Sequence, residues 1–211
     1  IYGFNPEMLK FALGLETRSF CLIVNVRGDS EDEVDFRLKK VEIICQQAGG
    51  KPGSEEMNEL AKAIAGGALA DLGSVWSKGV YAAADSTLPR EGFVEVYNGG
   101  QAIRQKYIKD FERLGIISFD HFEPFGANNG VFFAMGEIYD NTNEEAKKIT
   151  REFMDEIKLY MVKSGGMPFT SKGHYGELMG SVFSPTYSEF FRTLKKAVDP
   201  NNIMNPGNFG F

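Results

Sequence analysis

The sequence predicts an α+β fold in which helices cover one face of an antiparallel sheet, arranged as two ferredoxin-like halves. Short β-rich apolar runs alternate with segments whose apolar residues recur every three or four positions. A pattern of strand, helix cap, helix and double glycine occurs twice, at 20–50 and at 130–166. With 211 residues and 43% hydrophobic content, the chain can bury a sizeable core. We expect one domain over residues 1–211.

The first copy of the pattern begins with the β-rich run Phe20–Val26, which predicts a strand. Ser30 and Glu33 form a capping box, so a helix should follow directly. Gly49 and Gly50 then end that helix. Its apolar face consists of Val34, Leu38, Val41, Cys45 and Ala48.

The region between the two copies predicts two helices and a strand. Ser54 caps the first helix, whose middle is weakened by the glycines at 66–67. The alternating run Phe93–Tyr97 predicts a strand, and the second helix ends at Gly115. The apolar positions of the two helices are Leu60, Ile64, Ala68 and Leu72 in the first, and Ile103, Tyr107, Phe111 and Leu114 in the second.

The second copy of the pattern opens with a predicted hairpin. Ile116–Glu123, which carries His121, pairs with the strand Gly130–Tyr139. A capping box at Thr142–Glu145 starts the following helix, and the glycines at 165–166 end it. Its apolar face is formed by Ala146, Ile149, Phe153, Ile157 and Met161.

The C-terminal part of the chain predicts a last helix and a rigid tail. A capping box at Thr186–Glu189 starts the helix, which is followed by Asp199–Phe211. Prolines fix φ within this tail, and its glycines permit tight turns, so we expect the tail to be docked rather than frayed. The apolar positions of the helix are Tyr187, Phe190, Phe191, Leu194 and Val198.

Composition excludes several classes of protein. The net charge of −6 and the pI near 5.1, without a Lys/Arg run, argue against nucleic-acid binding. The sequence has no apolar run long enough to span a bilayer, so a cytoplasmic location is expected. Cys21 and Cys45 occupy apolar positions typical of reduced core cysteines, and no disulfide is expected. The chain begins at Ile1 without an initiator Met, which suggests a fragment of a longer protein.

The tail Asp199–Phe211, with its Asp-Pro-Asn-Asn-Ile-Met-Asn-Pro-Gly stretch, resembles the ending of flavin-linked oxidases of the vanillyl-alcohol oxidase / D-lactate dehydrogenase superfamily. In that superfamily the ending closes the C-terminal substrate domain, also called the cap domain. The resemblance therefore implies a cap domain that works with an FAD-binding domain and a small-molecule substrate. It also implies cofactor contacts from Asn205 and Gly207.

The glycine-rich segment Gly165–Gly176 resembles a family loop whose histidine faces substrate and flavin. His174 matches that histidine, although Gly173 stands where the family has Glu and Tyr175 intervenes before the next glycine. A histidine can exchange a proton near neutral pH, which alcohol oxidation requires. The resemblance implies that His174 or Tyr175 takes the hydroxyl proton while hydride passes to the flavin; the plainer alternative is a surface turn with a locally bonded histidine.

The remaining family motifs are incomplete here. The hairpin resembles the family's metal-binding hairpin, but only His121 of its two histidines is present, so no bound metal is expected. Lys78 follows Trp76 where the family has a carboxylate-binding Arg, and Lys78 offers only a point charge. Arg104 is a further candidate for binding a substrate anion. Phe169 and Tyr97 are candidate walls of a substrate pocket, as is His121 on its strand.

The resemblance leaves two substrate classes open, a 2-hydroxy acid such as lactate or glycolate, and an aryl alcohol or phenol. No glycine-rich phosphate-binding fingerprint follows a predicted strand, so FAD is expected to be bound chiefly by a domain outside this chain, in cis or as a separate subunit. The chain alone should then be inactive. The alternative is a non-catalytic ferredoxin-like module that binds a ligand or a protein, and a homo-oligomer is compatible with either hypothesis.

Overall fold

The computed structural model describes residues 2–4, 20–65, 79–125, 130–170 and 174–210. The chain divides into two compact units, residues 1–77 and residues 78–211. In the described ranges, no helix is both long and apolar enough to cross a membrane.

The described residues of the first unit form two short strands and two helices. β1 (Tyr2–Phe4) and β2 (Cys21–Ile23) pair antiparallel, so the predicted first strand is confirmed in a shorter form. α1 (Glu31–Gln47) begins at the predicted cap, because the Glu33 N–H donates to the Ser30 hydroxyl. α2 (Glu55–Ala65) begins after Ser54, and its predicted continuation to Leu72 lies outside the described residues. The two cysteines are free and half-buried.

The second unit has the element order βααββαβ, followed by two more helices. Its four strands lie in the order β4, β5, β3 and β6, and all neighbours are antiparallel, which is the predicted α+β arrangement. The elements are β3 (Val80–Pro89), α3 (Phe93–Gln105), α4 (Ile108–Leu114), β4 (Ile117–Phe125), β5 (Gly130–Tyr139), α5 (Glu144–Lys163), β6 (Met167–Pro168), α6 (His174–Val182) and α7 (Pro185–Val198).

The core of this unit lies between the sheet and α5. Because side chains alternate across a strand, every second residue of β3 and β5 points to the helices, and the register pairs Ala84 with Met135 and Ser86 with Phe133. α5 presents Phe153, Ile157 and Met161 to these strands, and the predicted apolar face of this helix is confirmed. Aromatic rings of α3 and α4 complete the core in edge-to-face contacts.

Several predicted elements differ from those observed. The run Phe93–Tyr97 was expected to be a strand but begins α3, because Phe93 and Tyr97, one helical turn apart, both pack on Phe133 while Val94 is exposed. The strand β3 was not predicted, because the alanine run near its centre, Ala82–Ala84, lacks the β-branched residues that mark strands.

The observed starts of two helices also differ from the starts predicted from the sequence. Asn143 rather than Thr142 caps α5, while Thr142 bonds to Asp140 in a turn before the helix. Ser184 rather than Thr186 caps α7, because Pro185 suits the first helical position. The end of the predicted glycine-rich loop is helical, since α6 begins at His174.

The C-terminal tail is docked, as predicted. The Asp199 carboxylate accepts hydrogen bonds from the N–H groups of Ile203 and Met204, and the Lys195 ammonium also binds it. A Cβ atom at Gly210 would lie 2.8 Å from the Gly176 carbonyl oxygen, so the end of the tail lies directly against α6. The tail therefore contacts the helix that His174 begins.

A buried ion network joins α3 to the two strands of the hairpin. The Arg104 guanidinium donates to Asp120 Oδ1 and Oδ2 at 2.6 and 2.7 Å and to Glu137 Oε1 at 2.7 Å. The remaining two donors reach the side chain of Gln101 and the Gly136 carbonyl. Both carboxylates are 0% exposed. All five N–H groups of Arg104 are thus used within the core.

One consequence of the network is that two buried carboxylates share a single cation. Burial raises the pKa of Glu137 to about 7, although the Arg104 charge beside it acts in the opposite direction. In the unfolded chain this carboxyl group would titrate near its ordinary value of 4.5. Between these two values the folded protein binds a proton that the unfolded chain has lost, so stability falls as the pH rises through this window.

We predict that Glu137→Gln flattens this decline, because the amide still accepts from Arg104 but does not titrate. The free energy of unfolding, measured by urea denaturation from about pH 5 to about pH 8, should fall less steeply in the variant than in the wild type. Glu144→Gln, at an exposed position of α5, is the control and should retain the wild-type slope. Equal slopes for Glu137→Gln and the wild type would contradict the prediction.

Candidate active-site face

The candidate site lies on the sheet face opposite the helices of the second unit. On β4, Asp120 and Phe122 point to the helices, so the intervening His121 points to the other face. On β5, Phe133 points to the helices and Phe132 therefore accompanies His121. We call this surface the second face.

Three rings form the centre of the second face. The His121 ring lies 5.7 Å from the Phe132 ring, and the Phe132 ring lies 4.9 Å from that of Phe169, both in edge-to-face geometry. Phe169 is 58% exposed, so an apolar surface remains available beside the other two rings, which are half-buried. Two of the residues predicted from the sequence, His121 and Phe169, are therefore brought together through Phe132.

His121 is neutral at physiological pH. Burial lowers the pKa of its imidazole to about 4, and its Nε2 atom lies 2.9 Å from Glu123 Oε1. Burial also raises the pKa of the Glu123 carboxyl group. A neutral imidazole beside a carboxyl group can form a hydrogen bond to a substrate hydroxyl or accept its proton.

Asp85 anchors the segment that carries Phe169. In the antiparallel register, His121 lies opposite Ala134, and Ala134 lies opposite Asp85, so the three residues form one row across the sheet. The Asp85 carbonyl accepts from the Phe169 N–H at 3.0 Å, and its carboxylate accepts from the Thr170 hydroxyl at 3.3 Å. Burial raises the pKa of Asp85. These bonds position the Phe169 ring against Phe132.

Three other predicted site residues lie on the helix side of the sheet. Tyr97 packs on Phe133 in the core and does not share a face with His121. Arg104, considered as a holder of the substrate anion, has no N–H group left for a substrate because the buried network uses all five. Tyr175 is fully buried and shares a hydrogen bond of 2.8 Å with Ser86.

The surroundings of Tyr175 do not suit a proton-transfer group. Burial raises the pKa of its phenol well above the ordinary value, and the ring belongs to the core cluster. A side chain with no exposed surface cannot contact a substrate without rearrangement of the core. The structure thus places both Tyr175 and Arg104 in the core, where their polar groups are bonded to core partners.

His174 is the first residue of α6, and its side chain lies outside the described part of the structure. Four residues of chain can span at most about 14 Å, so the backbone of His174 lies within that distance of Thr170 on the second face. Lys78 lies outside the described residues. Within those residues, no group of three or more His, Cys, Asp or Glu side chains is arranged to hold a metal ion.

Asn205 and Gly207, the predicted cofactor contacts, belong to the exposed tail. Gly207 has a φ of 82°, and Asn205 has a φ of 47°, so both residues shape turns. Asn205 lines a groove of about 280 Å³ between α7 and the tail, with Leu194 and Val198. This volume is below the range of about 300–1,000 Å³ of small-molecule pockets, so the groove does not fit an entire flavin dinucleotide.

Sequence analysis missed Phe132, Asp85 and Thr170 as members of the site. Phe132 is adjacent to a core phenylalanine, and only the strand alternation set by its partner assigns the two rings to opposite faces. Asp85 could have been selected as a candidate site residue from the sequence, since it is the one charged residue within the run Val80–Pro89. Its importance was hidden because the strand itself was not recognised.

Comparison with known proteins identifies the family in which this architecture occurs. The family model for the C-terminal domain of FAD linked oxidases matches residues 5–209 and so spans both compact units. D-2-hydroxyglutarate dehydrogenase from Haemophilus influenzae is 28% identical over 106 residues, which are 48% of this chain and 10% of that protein.

One solved structure shows the same fold. The 4-ethylphenol oxidase from Gulosibacter chungangensis, in complex with isoeugenol, matches with a TM-score of 0.60 and 14% identity, over 85% of this chain and 36% of that one. An alkyldihydroxyacetonephosphate synthase has a TM-score of 0.42 and 19% identity, over 83% of this chain and 29% of its own. This chain therefore spans only a part of the relatives it matches. With the family match extending over nearly its whole length, it belongs to the C-terminal domain family of FAD linked oxidases.

Proposed function

We propose that this chain is the substrate-binding cap domain of an FAD-dependent oxidoreductase that dehydrogenates an alcohol carbon. The observation that carries the proposal is the set of His121, Phe132 and Phe169 on the second face. The flavin, bound chiefly by a domain outside this chain, supplies the hydride acceptor. The chain alone is then inactive, because the hydride acceptor is held by that other domain.

Each residue of the candidate site has a distinct role in this proposal. Phe132 and Phe169 form an apolar wall for the substrate, and neutral His121 forms a hydrogen bond with the substrate hydroxyl. Asp85 holds the Phe169 segment in place. His174, within chain reach of this face, accepts the hydroxyl proton.

An aryl alcohol or phenol is the substrate class that the second face favours. Its rings offer stacking surface, while Asp85 and Glu123 would repel a carboxylate substrate whenever they are ionised. Arg104 cannot offset this repulsion of a substrate carboxylate, because its guanidinium is bound within the core. A neutral aromatic substrate avoids this repulsion.

A 2-hydroxy acid is the second candidate. The partial match to a D-2-hydroxyglutarate dehydrogenase favours it, and Lys78 would then be the cation for the substrate carboxylate. A single lysine provides a point charge rather than the bidentate geometry of an arginine. Measured turnover with the two substrate classes distinguishes these candidates.

We further propose that α7 and the tail dock on the flavin-binding domain. Phe190, Val198 and Ile203 are 61%, 64% and 78% exposed, which is unusual for large apolar side chains that follow one another along one helix and its extension. The family assignment supplies the partner, since a C-terminal domain of FAD linked oxidases functions with an FAD-binding domain.

The proposed site predicts different kinetic effects for its two histidines. In the full-length, flavin-containing enzyme, His174→Ala should lower kcat by about 100-fold or more, because general base catalysis contributes about that factor. His121→Gln should mainly raise KM, because it removes a substrate contact. Flavin content, measured from visible absorption, should be unchanged in both variants. An unchanged kcat in His174→Ala would remove its catalytic role.

The aromatic wall predicts a loss of affinity in Phe169→Ala. KM for an aryl alcohol should rise about tenfold, since an aromatic contact contributes about 0.5–1.5 kcal/mol beyond area burial. The matched control is Phe36→Ala, at a phenylalanine of equal exposure (58%) on α1. If both substitutions alter KM equally, the second face is not the substrate site.

The docking surface predicts that Phe190→Glu weakens association with the flavin domain. When the two domains are produced as separate chains, titration calorimetry should show affinity at least tenfold lower for the variant, because a charge would be buried without a partner. Glu189→Gln, at the neighbouring exposed position, should bind normally. Unchanged affinity of Phe190→Glu would exclude α7 from the interface.

A further inference from the structure

A second cavity lies on the helix side of the sheet, away from the second face. It has a volume of about 460 Å³, within the range of small-molecule pockets. Ala82 of β3, Tyr139 of β5 and Met154 of α5 contribute to its lining. Since strand alternation turns Ala82 and Tyr139 towards the helices, no side chain of the proposed substrate site contributes to this cavity. We call it the α5 cleft.

One stripe of α5 supplies the polar groups of the cleft. Lys147, Thr150, Arg151 and Lys158 all line it, at spacings that bring residues to one side of a helix. Asp155 and Glu177 line it as well, so that three cations face two carboxylates. The charge balance of the cleft therefore favours a monoanion over a dianion or a cation.

Neighbouring carboxylates neutralise the three cations to different degrees. Lys147 forms an ion pair with Glu144 at 3.3 Å, and the carboxylates of Asp155 and Asp85 both act on the charge of Lys158. Arg151 has no carboxylate within ion-pair distance among the residues that the structure describes. Its guanidinium is thus the donor best placed to bind an anion in bidentate geometry.

A buried hydroxyl group points to a ligand independently of the charges. Thr150 is 1% exposed, and its Oγ1 atom has no hydrogen-bond partner in the described structure. Threonine in a helix commonly donates to the carbonyl four residues earlier, and Thr150 does not. Buried polar groups without a partner are costly, so an acceptor in the cleft would satisfy this hydroxyl.

From this combination we propose that the α5 cleft binds a small organic carboxylate with an apolar body. The carboxylate accepts hydrogen bonds from Arg151 and from the Thr150 hydroxyl, and the apolar body lies on Met154 and Ala82. Lys158, which is half-buried and extends over the Tyr175 ring, adds positive charge to the cleft. The cleft is a site additional to the proposed substrate site and does not depend on it.

The test uses cyclohexanecarboxylate as the probe and cyclohexanecarboxamide as its neutral counterpart, in calorimetric titrations of the full-length enzyme at low salt. We expect saturable binding of the carboxylate at one site and at least tenfold weaker binding of the amide. Arg151→Gln should weaken carboxylate binding about tenfold or more, and Thr150→Val about threefold. Lys148→Gln changes an exposed lysine on the same helix that does not line the cleft, and should bind like the wild type.

Arg151 is exposed, so its substitution tests the site without a risk to folding, whereas Thr150→Val tests the buried hydroxyl. His121→Gln, on the opposite face, should retain carboxylate binding, which separates this site from the proposed substrate site. No saturable binding, equal binding of the amide, or equal effects of Arg151→Gln and Lys148→Gln would overturn the proposal. Loss of binding in His121→Gln alone would also overturn it, because the probe would then occupy the second face.

Discussion

The buried guanidinium of Arg104 fixes how α3 and the central hairpin meet. It binds carboxylates from two neighbouring strands, Asp120 of β4 and Glu137 of β5, at 2.6–2.7 Å. Removing one partner of such a network leaves an uncompensated buried charge, which costs about 3–5 kcal/mol. The network therefore penalises any change in the register of these strands more strongly than apolar contacts alone would.

This register also determines the second face. A shift of one residue would move Asp120 out of the core and bring His121 into it, because side chains alternate along a strand. Asp120 and His121 are adjacent in the chain, so the ion network on one side of the sheet positions the imidazole on the other. The core network and the proposed substrate site are thus two results of one strand register.

Much of the fold could be predicted from the sequence, because the signals were local. The cap of α1, the apolar stripe of α5, the glycine stops and the hairpin all depend on residues close in the chain. The strand β3 could not be predicted in this way, since Ala82 and Ala84 are strand residues only because β5 pairs with them. The same applies to Phe93, whose helical state is set by packing on Phe133.

The site was predicted only in part, for a related reason. Sequence analysis selected residues by chemical type, and chemical type does not indicate which face of a sheet a side chain occupies. Arg104 and Tyr175 are chemically suited to a site but are satisfied by core partners, Asp120 and Ser86. His121 and Phe169 were predicted individually, whereas the Phe132 ring that joins them required the strand pairing.

The close approach of Gly210 to the Gly176 carbonyl has a further consequence. A side chain at position 210 would displace either the tail or the first turn of α6, so the position of the histidine-bearing helix depends on how the tail packs. The tail therefore acts as a brace for this helix. A substitution at Gly210 would therefore disturb the start of α6, where His174 lies, even though no reactive group had been changed.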